Sequence, residues 1–251
     1  MTSNSKLKGS RIVDCRPQVG PCRMKCNQCY YNLFPLDGFE TPRIPDPEET
    51  NRKGLIVRMN AEHDSGIEKP LVLETARPYN DLFYNTATHD MDFPRPVVVT
   101  INHQEYSPSL TNPDRRYLDR VMFARVRLSP GCFERATIAA SRWMAAAIPI
   151  MITPMAFYSL VALEEDKERA SFDSRLDGME YKFKKRHVHE CWQLDQKSLR
   201  NLVHLFIYQM CDHSKGSNGC IYLCGTYESL QCEDCNLCEH FYYAAKARMA
   251  L

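Results

Sequence analysis

The sequence predicts an α/β fold in which helices flank a mostly parallel β-sheet. Strand-like apolar runs alternate with helical segments along the chain, which is the pattern of repeated βαβ units. Several of the strand candidates are apolar almost throughout, as expected of strands that are buried on both faces. Six such candidates favour an open or partial barrel over a short two-layer fold. The chain has 251 residues and 44% hydrophobic content, which is enough for a sizeable core.

The strand candidates are residues 11–15, 54–60, 95–102, 120–129, 148–153 and 179–192. The helical candidates are residues 67–85, 130–147, 156–170 and 195–210. Pro78 is expected to kink or shorten the first of these helices. Pro130 suits the first turn of the second, and Asp195 suits the cap of the last. The Pro-rich and charged stretch 34–54 lacks a clear pattern, and we expect a mobile cover there.

Composition excludes some classes of function. The 32 basic and 31 acidic residues leave a net charge of +1, so the total charge predicts neither a polyanion nor a membrane surface as partner. No stretch approaches the roughly 18 apolar residues of a membrane span. The first ten residues, MTSNSKLKGS, are too polar for a signal peptide. We therefore expect a cytoplasmic protein.

Twelve cysteines are many for a chain in a reducing compartment, where metal ligation or catalysis is the usual reason for such a density. Four lie near the N-terminus and six near the C-terminus, which leaves two between the groups. The N-terminal group is Cys15, Cys22, Cys26 and Cys29. The C-terminal group is Cys211, Cys220, Cys224, Cys232, Cys235 and Cys238. Each group is a candidate metal site.

The N-terminal group follows the first predicted strand, and active sites in such sheets collect at the carboxyl ends of strands. Cys22, Cys26 and Cys29 have the spacing C-x3-C-x2-C. A [4Fe–4S] cluster normally takes four thiolates, so three leave one iron open to a small molecule. One alternative stays open: Cys15 could join the other three in a structural zinc site.

This spacing, in the loop after the first strand, resembles the radical SAM superfamily. The resemblance covers roughly residues 11–210 and implies a partial (β/α)6 barrel with a Cys-rich C-terminal extension. It further implies that Cys22, Cys26 and Cys29 hold a [4Fe–4S] cluster whose open iron binds S-adenosyl-L-methionine. One-electron reduction, from an external donor such as flavodoxin or ferredoxin, would cleave this cofactor to a 5′-deoxyadenosyl radical that abstracts hydrogen from the substrate.

The resemblance also suggests the residues that contact S-adenosylmethionine. The family places a glutamate after the second strand, against the amino group of the methionine moiety, and Glu62 is the positional match. The glycines that usually precede it are absent, and Asn60, Asp64 and Ser65 are neighbours that could share the task. The strand ends that follow contribute Asn102, Arg127 and Thr153 as candidates for the ribose or carboxylate. Gln28 replaces the usual aromatic residue before the third cysteine, so Tyr30, just after it, is the candidate for the adenine contact.

The C-terminal cysteines suggest a second metal site. Cys232, Cys235 and Cys238 have ferredoxin-like C-x2-C-x2-C spacing, and Cys220 or Cys224 could add a fourth thiolate. A second [4Fe–4S] cluster and a zinc knuckle, the latter with His213 or His240 as a ligand, both remain open. We expect a radical SAM barrel over 11–210 and a Cys-rich metal-binding tail over 211–251.

Two hypotheses follow. The first is a radical SAM enzyme that acts on a small molecule or a nucleic acid, with a nucleotide or nucleic-acid base favoured over peptide maturation because residues 181–190 interleave basic and aromatic side chains. The reaction subclass, isomerase, lyase or oxidoreductase, stays open. The alternative is a non-enzymatic zinc module that binds nucleic acid through the same basic segment.

Overall fold

The structure is a computed structural model. It describes residues 7–24, 40–101, 112–127, 133–153, 155–157, 171–176, 179–186, 191–195, 197–198, 200–201, 221–224 and 232–250. None of the helices in these ranges is both long and apolar enough to cross a membrane.

A seven-stranded parallel sheet forms the centre of the molecule, which confirms the expected α/β class. Its strands are β1 (Ile12–Cys15), β2 (Ile56–Met59), β3 (Leu82–Thr86), β4 (Val97–Ile101), β5 (Val121–Arg127), β6 (Ile150–Thr153) and β11 (Ile221–Leu223). Each strand pairs with the next one in this order, and every pairing is parallel. The carboxyl ends of all seven strands therefore lie along one edge.

The described helices are α1 (Pro47–Arg52), α2 (Lys69–Ala76), α3 (Phe133–Ala145), α4 (Cys232–Cys235) and α5 (Leu237–Met249). A 3₁₀ turn spans Arg115–Tyr117. Asp46 caps α1 by accepting a hydrogen bond from the Glu48 amide, and Pro47 occupies the first turn, where its missing N–H is not needed.

The two faces of the sheet pack against different helices, because successive side chains of a strand point to opposite sides. One face, which we call the crossover face, carries Val57, Tyr84 and Val99 and packs against α2 and α3. The other, which we call the α5 face, carries Ile56, Phe83, Val98, Phe123 and Met151 and packs against Phe241, Tyr242 and Ala245 of α5. Both faces are thus buried, which explains the almost uninterrupted apolar runs in the strands.

Helix α5 runs antiparallel to β5. The Arg248 guanidinium, near the end of α5, donates a 2.6 Å hydrogen bond to the carbonyl of Val121, at the start of β5. The rings of Phe241 and Phe123 lie 5.6 Å apart. Phe241 precedes Arg248 on α5, whereas Phe123 follows Val121 on β5. The first turn of α5, with Cys238, consequently lies toward the carboxyl half of β5, where Arg125 is located.

A second sheet has four antiparallel strands in the order β7 (Met155–Phe157), β10 (Cys191–Leu194), β9 (Met179–Arg186) and β8 (Ser171–Leu176). The segment 179–192 was expected as the sixth barrel strand, but its described parts, β9 and the start of β10, belong to this sheet. Its period-two alternation is typical of antiparallel strands with one solvated face, and that feature distinguishes it from the apolar runs of the parallel sheet.

Three further elements differ from the sequence-based expectation. The predicted helix 67–85 is the shorter α2, followed by β3; Pro78 lies between them, and β3 is buried at every position. Helix α1 lies inside the stretch 34–54, for which no regular structure was expected. Strand β11 lies within the Cys-rich tail and pairs with β6, so the sheet has seven strands where six were predicted.

Candidate functional site

The carboxyl edge of β1, β2 and β3 brings together the segments that the sequence singled out. The β1 strand leads into residues 16–24, which contain Cys22, and β2 leads into residues 60–68. Cys22 is buried, at 8% exposure. Cys26, Cys29 and Tyr30 lie outside the described residues, as do Asn102 and Cys220.

The loops that follow β1 and β2 are held against each other by hydrogen bonds. The Gln18 amide donates to the carbonyls of Asp64 and Ile67, at 3.2 and 2.7 Å. His63 Nε2 lies 2.9 Å from the carbonyl of Gly20, two residues before Cys22. Burial lowers the pKa of His63, so its ring stays neutral near pH 7. The candidates for binding S-adenosylmethionine that follow β2 are therefore held against the loop that contains the first cysteine of the motif.

Glu62 is a buried carboxylate between two arginines. Its Oε1 lies 2.6 Å from Arg43 Nη2, and its Oε2 lies 3.4 Å from Arg16 Nε. The second contact is an ion pair without hydrogen-bond geometry, so Oε2 has no hydrogen-bond partner among the described residues. Glu62 thus keeps one buried oxygen that can accept a hydrogen bond from a ligand.

Asp64 has a different environment from Glu62. It accepts hydrogen bonds from the Gly66 amide at 2.7 Å, from the Thr86 hydroxyl at 3.1 Å and from the Ala87 amide. Burial raises the pKa of Asp64, and these hydrogen bonds act against that shift. Asp64 therefore ties the loop after β2 to the end of β3, and most of its acceptor capacity is already used.

Asn60 and Ser65 carry buried polar atoms that lack hydrogen-bond partners within the described part of the chain: both amide atoms of Asn60 and the hydroxyl of Ser65. Asn60 directly follows β2 with φ of 55°, in the left-handed region. Its backbone N–H, in contrast to its side chain, donates a 2.8 Å hydrogen bond to the carbonyl of Cys15. Buried polar groups without partners are rare, since desolvation is then uncompensated. These atoms fit a ligand that offers donors and acceptors at this edge.

Cys15 is the last residue of β1 and lies next to this site. It belongs to the crossover face, is fully buried, and has the side chain of Tyr79 as a hydrogen-bond partner. Burial raises the pKa of the Cys15 thiol to about 12. In this structure Cys15 is therefore a packed, buried thiol on the crossover face.

Arg127 and Thr153 end β5 and β6 and are paired in register. Both lie on the α5 face, because Ile150 and Ile152 belong to the crossover face and Met151 to the α5 face. The Thr153 hydroxyl is buried without a hydrogen-bond partner in the described ranges. These two predicted residues are therefore neighbours, two and three strands from β3 and its loop.

Asp14 and Arg58, two charged residues on the α5 face, were not predicted as site residues. Arg58 Nε lies 2.7 Å from Asp14 Oδ1, and Arg43 Nη1 lies 3.9 Å from Asp14 Oδ2. Through Arg43 this group joins the Glu62 pair at the carboxyl edge. Charges inside apolar strand runs such as RIVDC and GLIVRMN were the available signal, because a charge in a buried strand needs a partner or a ligand.

Of the C-terminal cysteines, Cys224, Cys232 and Cys238 pack against the α5 face. Burial raises the pKa of Cys238 to about 12, although the guanidinium of Arg125 acts in the opposite direction. Cys235 is half-buried in α4. Within the described ranges, no three His, Cys, Asp or Glu side chains converge on a point that could hold a metal ion.

Comparisons of the chain with protein-family models, with curated proteins and with solved structures found no match. The functional interpretation therefore rests on the residues and their geometry.

Proposed function

We propose that this protein is a radical SAM enzyme. Cys22, Cys26 and Cys29 would bind a [4Fe–4S] cluster, and S-adenosyl-L-methionine would complete the coordination of the iron that has no cysteine ligand. When bound, these groups supply a 5′-deoxyadenosyl radical for hydrogen abstraction, with the electron coming from a protein such as flavodoxin or ferredoxin. The observation that carries the proposal is the C-x3-C-x2-C motif, whose first cysteine is buried in the loop after β1.

The order of the parallel sheet supports a partial barrel. In a doubly wound sheet the first strand lies in the middle, and the order in which later strands are added reverses once. In a barrel each strand is added beside the preceding one. The seven strands follow the second pattern, with β11 from the tail at the far edge. In a barrel of this kind the α5 face would be the interior, against which Phe241 and Tyr242 pack.

The residues after β2 support a site for the methionine moiety. Glu62 Oε2 offers a negative, buried acceptor that suits an ammonium group. Asn60 and Ser65 offer polar atoms of both kinds within the same segment. Asp64 would position this segment by its bonds to Thr86 and Ala87, without a contact of its own to the ligand.

The C-terminal cysteines would hold a second metal centre, an iron–sulfur cluster or zinc. Cys224, Cys232 and Cys238 already share one face of the sheet, and thiolates suit either metal. Metal binding would have to draw them closer together, with Cys220 or Cys235 as a further ligand.

Anaerobic reconstitution with iron and sulfide tests the proposal. We expect a brown protein with about four irons per motif, and formation of 5′-deoxyadenosine after addition of S-adenosylmethionine and a reductant. Cys22→Ala should abolish both the N-terminal cluster signal in electron paramagnetic resonance and 5′-deoxyadenosine formation. A colourless protein that retains only zinc would overturn the proposal.

Cys15→Ala is the matched control, because Cys15 is also an N-terminal cysteine but packs on the crossover face. It should retain the cluster and the activity. Equal metal loss in Cys15→Ala and Cys22→Ala would instead favour a four-thiolate zinc site. In that case steeply salt-dependent binding of RNA or DNA, through the segment that contains the exposed Lys182, would identify the alternative zinc module.

A further inference from the structure

Arg43 holds the Glu62 carboxylate by one of its two oxygens. Arg43 Nη2 lies 2.6 Å from Glu62 Oε1, whereas Oε2 accepts no hydrogen bond from the described part of the chain. The carboxylate of Asp14 is more distant from Arg43, with Oδ2 3.9 Å from Nη1, and it is engaged at 2.7 Å by Arg58. The short contact to Oε1 therefore restrains the rotation of the Glu62 carboxylate, and with it the direction in which Oε2 points.

Arg16 contacts the same carboxylate in a different way. Its Nε lies 3.4 Å from Glu62 Oε2, which is an ion pair outside hydrogen-bond geometry. This arginine adds positive charge beside Oε2 without using the oxygen as an acceptor. The orientation of Glu62 consequently depends on Arg43 more than on Arg16.

The backbone of Arg43 is fixed by contacts of its own. The Arg43 N–H donates to the carbonyl of Arg16 at 2.8 Å, and the Arg16 N–H donates to the carbonyl of Arg43 at 2.7 Å. These two bonds form an isolated antiparallel bridge, the Arg16–Arg43 bridge. The Arg16 guanidinium adds a third bond, since its Nη2 donates to the carbonyl of Thr41 at 2.7 Å. Residues 41–43 are therefore held against the residue that follows β1.

The Arg16–Arg43 bridge joins the two ends of residues 17–42, which we call the cysteine segment because it contains the C-x3-C-x2-C motif. Joining the ends of a chain segment has an entropic cost, since the ends lose the freedom to separate. The bridge and the pair of Arg43 with Glu62 both act against that cost, because each holds residue 43 in place. The orientation of Glu62 and the joining of these ends should therefore depend on each other.

We propose that Arg43 is a positioning residue for Glu62. It orients the carboxylate so that Oε2 faces the ligand, and the Arg16–Arg43 bridge makes this orientation depend on the joined ends of the cysteine segment. The inference deepens the proposed function and rests on it only in identifying the ligand as S-adenosylmethionine. Ligand binding at Glu62 and formation of the bridge would accordingly favour each other.

Variants of Arg43 in the reconstituted protein test the effect on the ligand. The rate of 5′-deoxyadenosine formation is measured against S-adenosylmethionine concentration. Arg43→Met should raise KM at least about tenfold and leave kcat per cluster within about twofold, because it weakens binding of the ligand without touching the reacting atoms. Arg43→Lys should give an intermediate KM, since it keeps the charge without the planar fork. Arg77→Met is the control and should change neither value, because Arg77 is 76% exposed and paired with Glu74.

Amide hydrogen exchange tests the link to the bridge in the protein as purified, without added iron, S-adenosylmethionine or reductant. In Glu62→Gln the amides of Arg16 and Arg43 should exchange at least about tenfold faster than in the wild type, although both backbone partners remain. The amides of β4 are the internal reference, because a global loss of stability would accelerate them equally. Glu49→Gln, which removes an exposed pair with Lys53, should leave all these rates unchanged.

Several results would overturn the proposal. One is a KM in Arg43→Met no higher than in Arg77→Met; another is a joint fall of kcat and cluster content at unchanged KM, which indicates a structural role only. Unchanged exchange of Arg16 and Arg43 in Glu62→Gln, or acceleration no greater than that of β4, would also refute it.

Two further outcomes remain informative. If Arg43→Met fails to fold, the KM of Arg43→Lys and the exchange rates in Glu62→Gln decide. A wild type that forms no 5′-deoxyadenosine would refute the proposed function, and the exchange experiment would still decide whether Arg43 links Glu62 to the bridge. The two failures are therefore distinguishable.

Discussion

At the scale of single residues, the two carboxylates that follow β2 have separate roles although they are two positions apart. Glu62 forms ion pairs with Arg16 and Arg43, and its Oε2 accepts no hydrogen bond from the described part of the chain. Asp64 uses its oxygens for the backbone of Gly66 and Ala87. Sequence alone placed both in one group of candidates, because the partner arginines are distant along the chain.

Glu62→Gln should both destabilise the protein and weaken S-adenosylmethionine binding. Removing the charge takes a carboxylate partner away from Arg16 and Arg43, and breaking a buried ion pair typically costs about 3 kcal/mol of unfolding free energy. Urea unfolding measures the first effect, and isothermal titration of the reconstituted protein the second. Glu49→Gln removes the exposed pair with Lys53 and is the control, with unfolding unchanged. Equal effects of the two variants would contradict the assignment.

Asp64 should make stability depend on pH. Its pKa in the folded protein is raised above the ordinary value of 3.8 by burial, so its contribution to stability is full below 3.8 and declines as the pH rises through the folded pKa. The difference in unfolding free energy between the wild type and Asp64→Asn should therefore shift against the wild type as pH increases. Urea unfolding from pH 3.5 to pH 7 measures it. A difference that is constant with pH would show that Asp64 titrates normally.

At the scale of elements, α5 is held to the sheet by packing and by a polar contact at the base of β3. The Tyr242 hydroxyl donates to Asp81 Oδ1 at 2.8 Å, and Lys246 Nζ lies 2.5 Å from the same oxygen. Burial alone would raise the pKa of Asp81, but these two donors outweigh it and hold the pKa below its ordinary value. These polar contacts fix the direction in which α5 crosses the sheet, and the apolar packing holds α5 against the sheet. Cys238 is thereby placed beside Arg125.

Tyr242→Phe should lower the unfolding free energy by about 1–2 kcal/mol, because it removes a hydrogen bond to a carboxylate and keeps the buried ring. Chemical denaturation followed by circular dichroism measures this. Tyr243→Phe is the matched control: its side chain is 40% exposed, and its replacement should change the unfolding free energy by less than about 0.5 kcal/mol. The assignment of Tyr242 fails if both variants behave alike.

At the scale of the whole molecule, the C-terminal segment completes the sheet that begins at the N-terminus. β11 extends the parallel sheet beside β6, and α5 covers the face that carries Ile56, Phe83 and Phe123. The Cys-rich tail is therefore part of the central architecture as well as a candidate metal site. This contact between distant parts of the chain is a property of the tertiary structure that no local pattern encodes.

Deletion of residues 232–251 should expose the apolar α5 face. We expect a protein that aggregates or binds a hydrophobic dye strongly, because a large contiguous apolar surface would face water. Size-exclusion chromatography and dye fluorescence measure this. Phe241→Leu, which keeps most of the buried volume, is the milder companion and should remain monodisperse. A monodisperse deletion variant with unchanged dye binding would show that α5 is dispensable for the fold.

The sequence by itself determined the α/β class, five of the seven strands of the parallel sheet, and the segments that meet at the carboxyl edge. Apolar runs and the Cys22 motif are local signals that can be read along the chain. Because parallel strands end at one edge of a sheet, these signals are sufficient to predict which loops lie together. β3 was missed because a helical spacing of apolar residues continues through a strand that is buried on both faces.

Only the tertiary structure decided which charges meet. The pairing of Glu62 with Arg16 and Arg43 and the pairing of Arg58 with Asp14 depend on the register between strands and on the loops that follow them. Each is a contact between residues far apart in the chain, so spacing along the sequence carries no information about it. Tertiary packing thus decides which of the charged positions in the sequence form ion pairs.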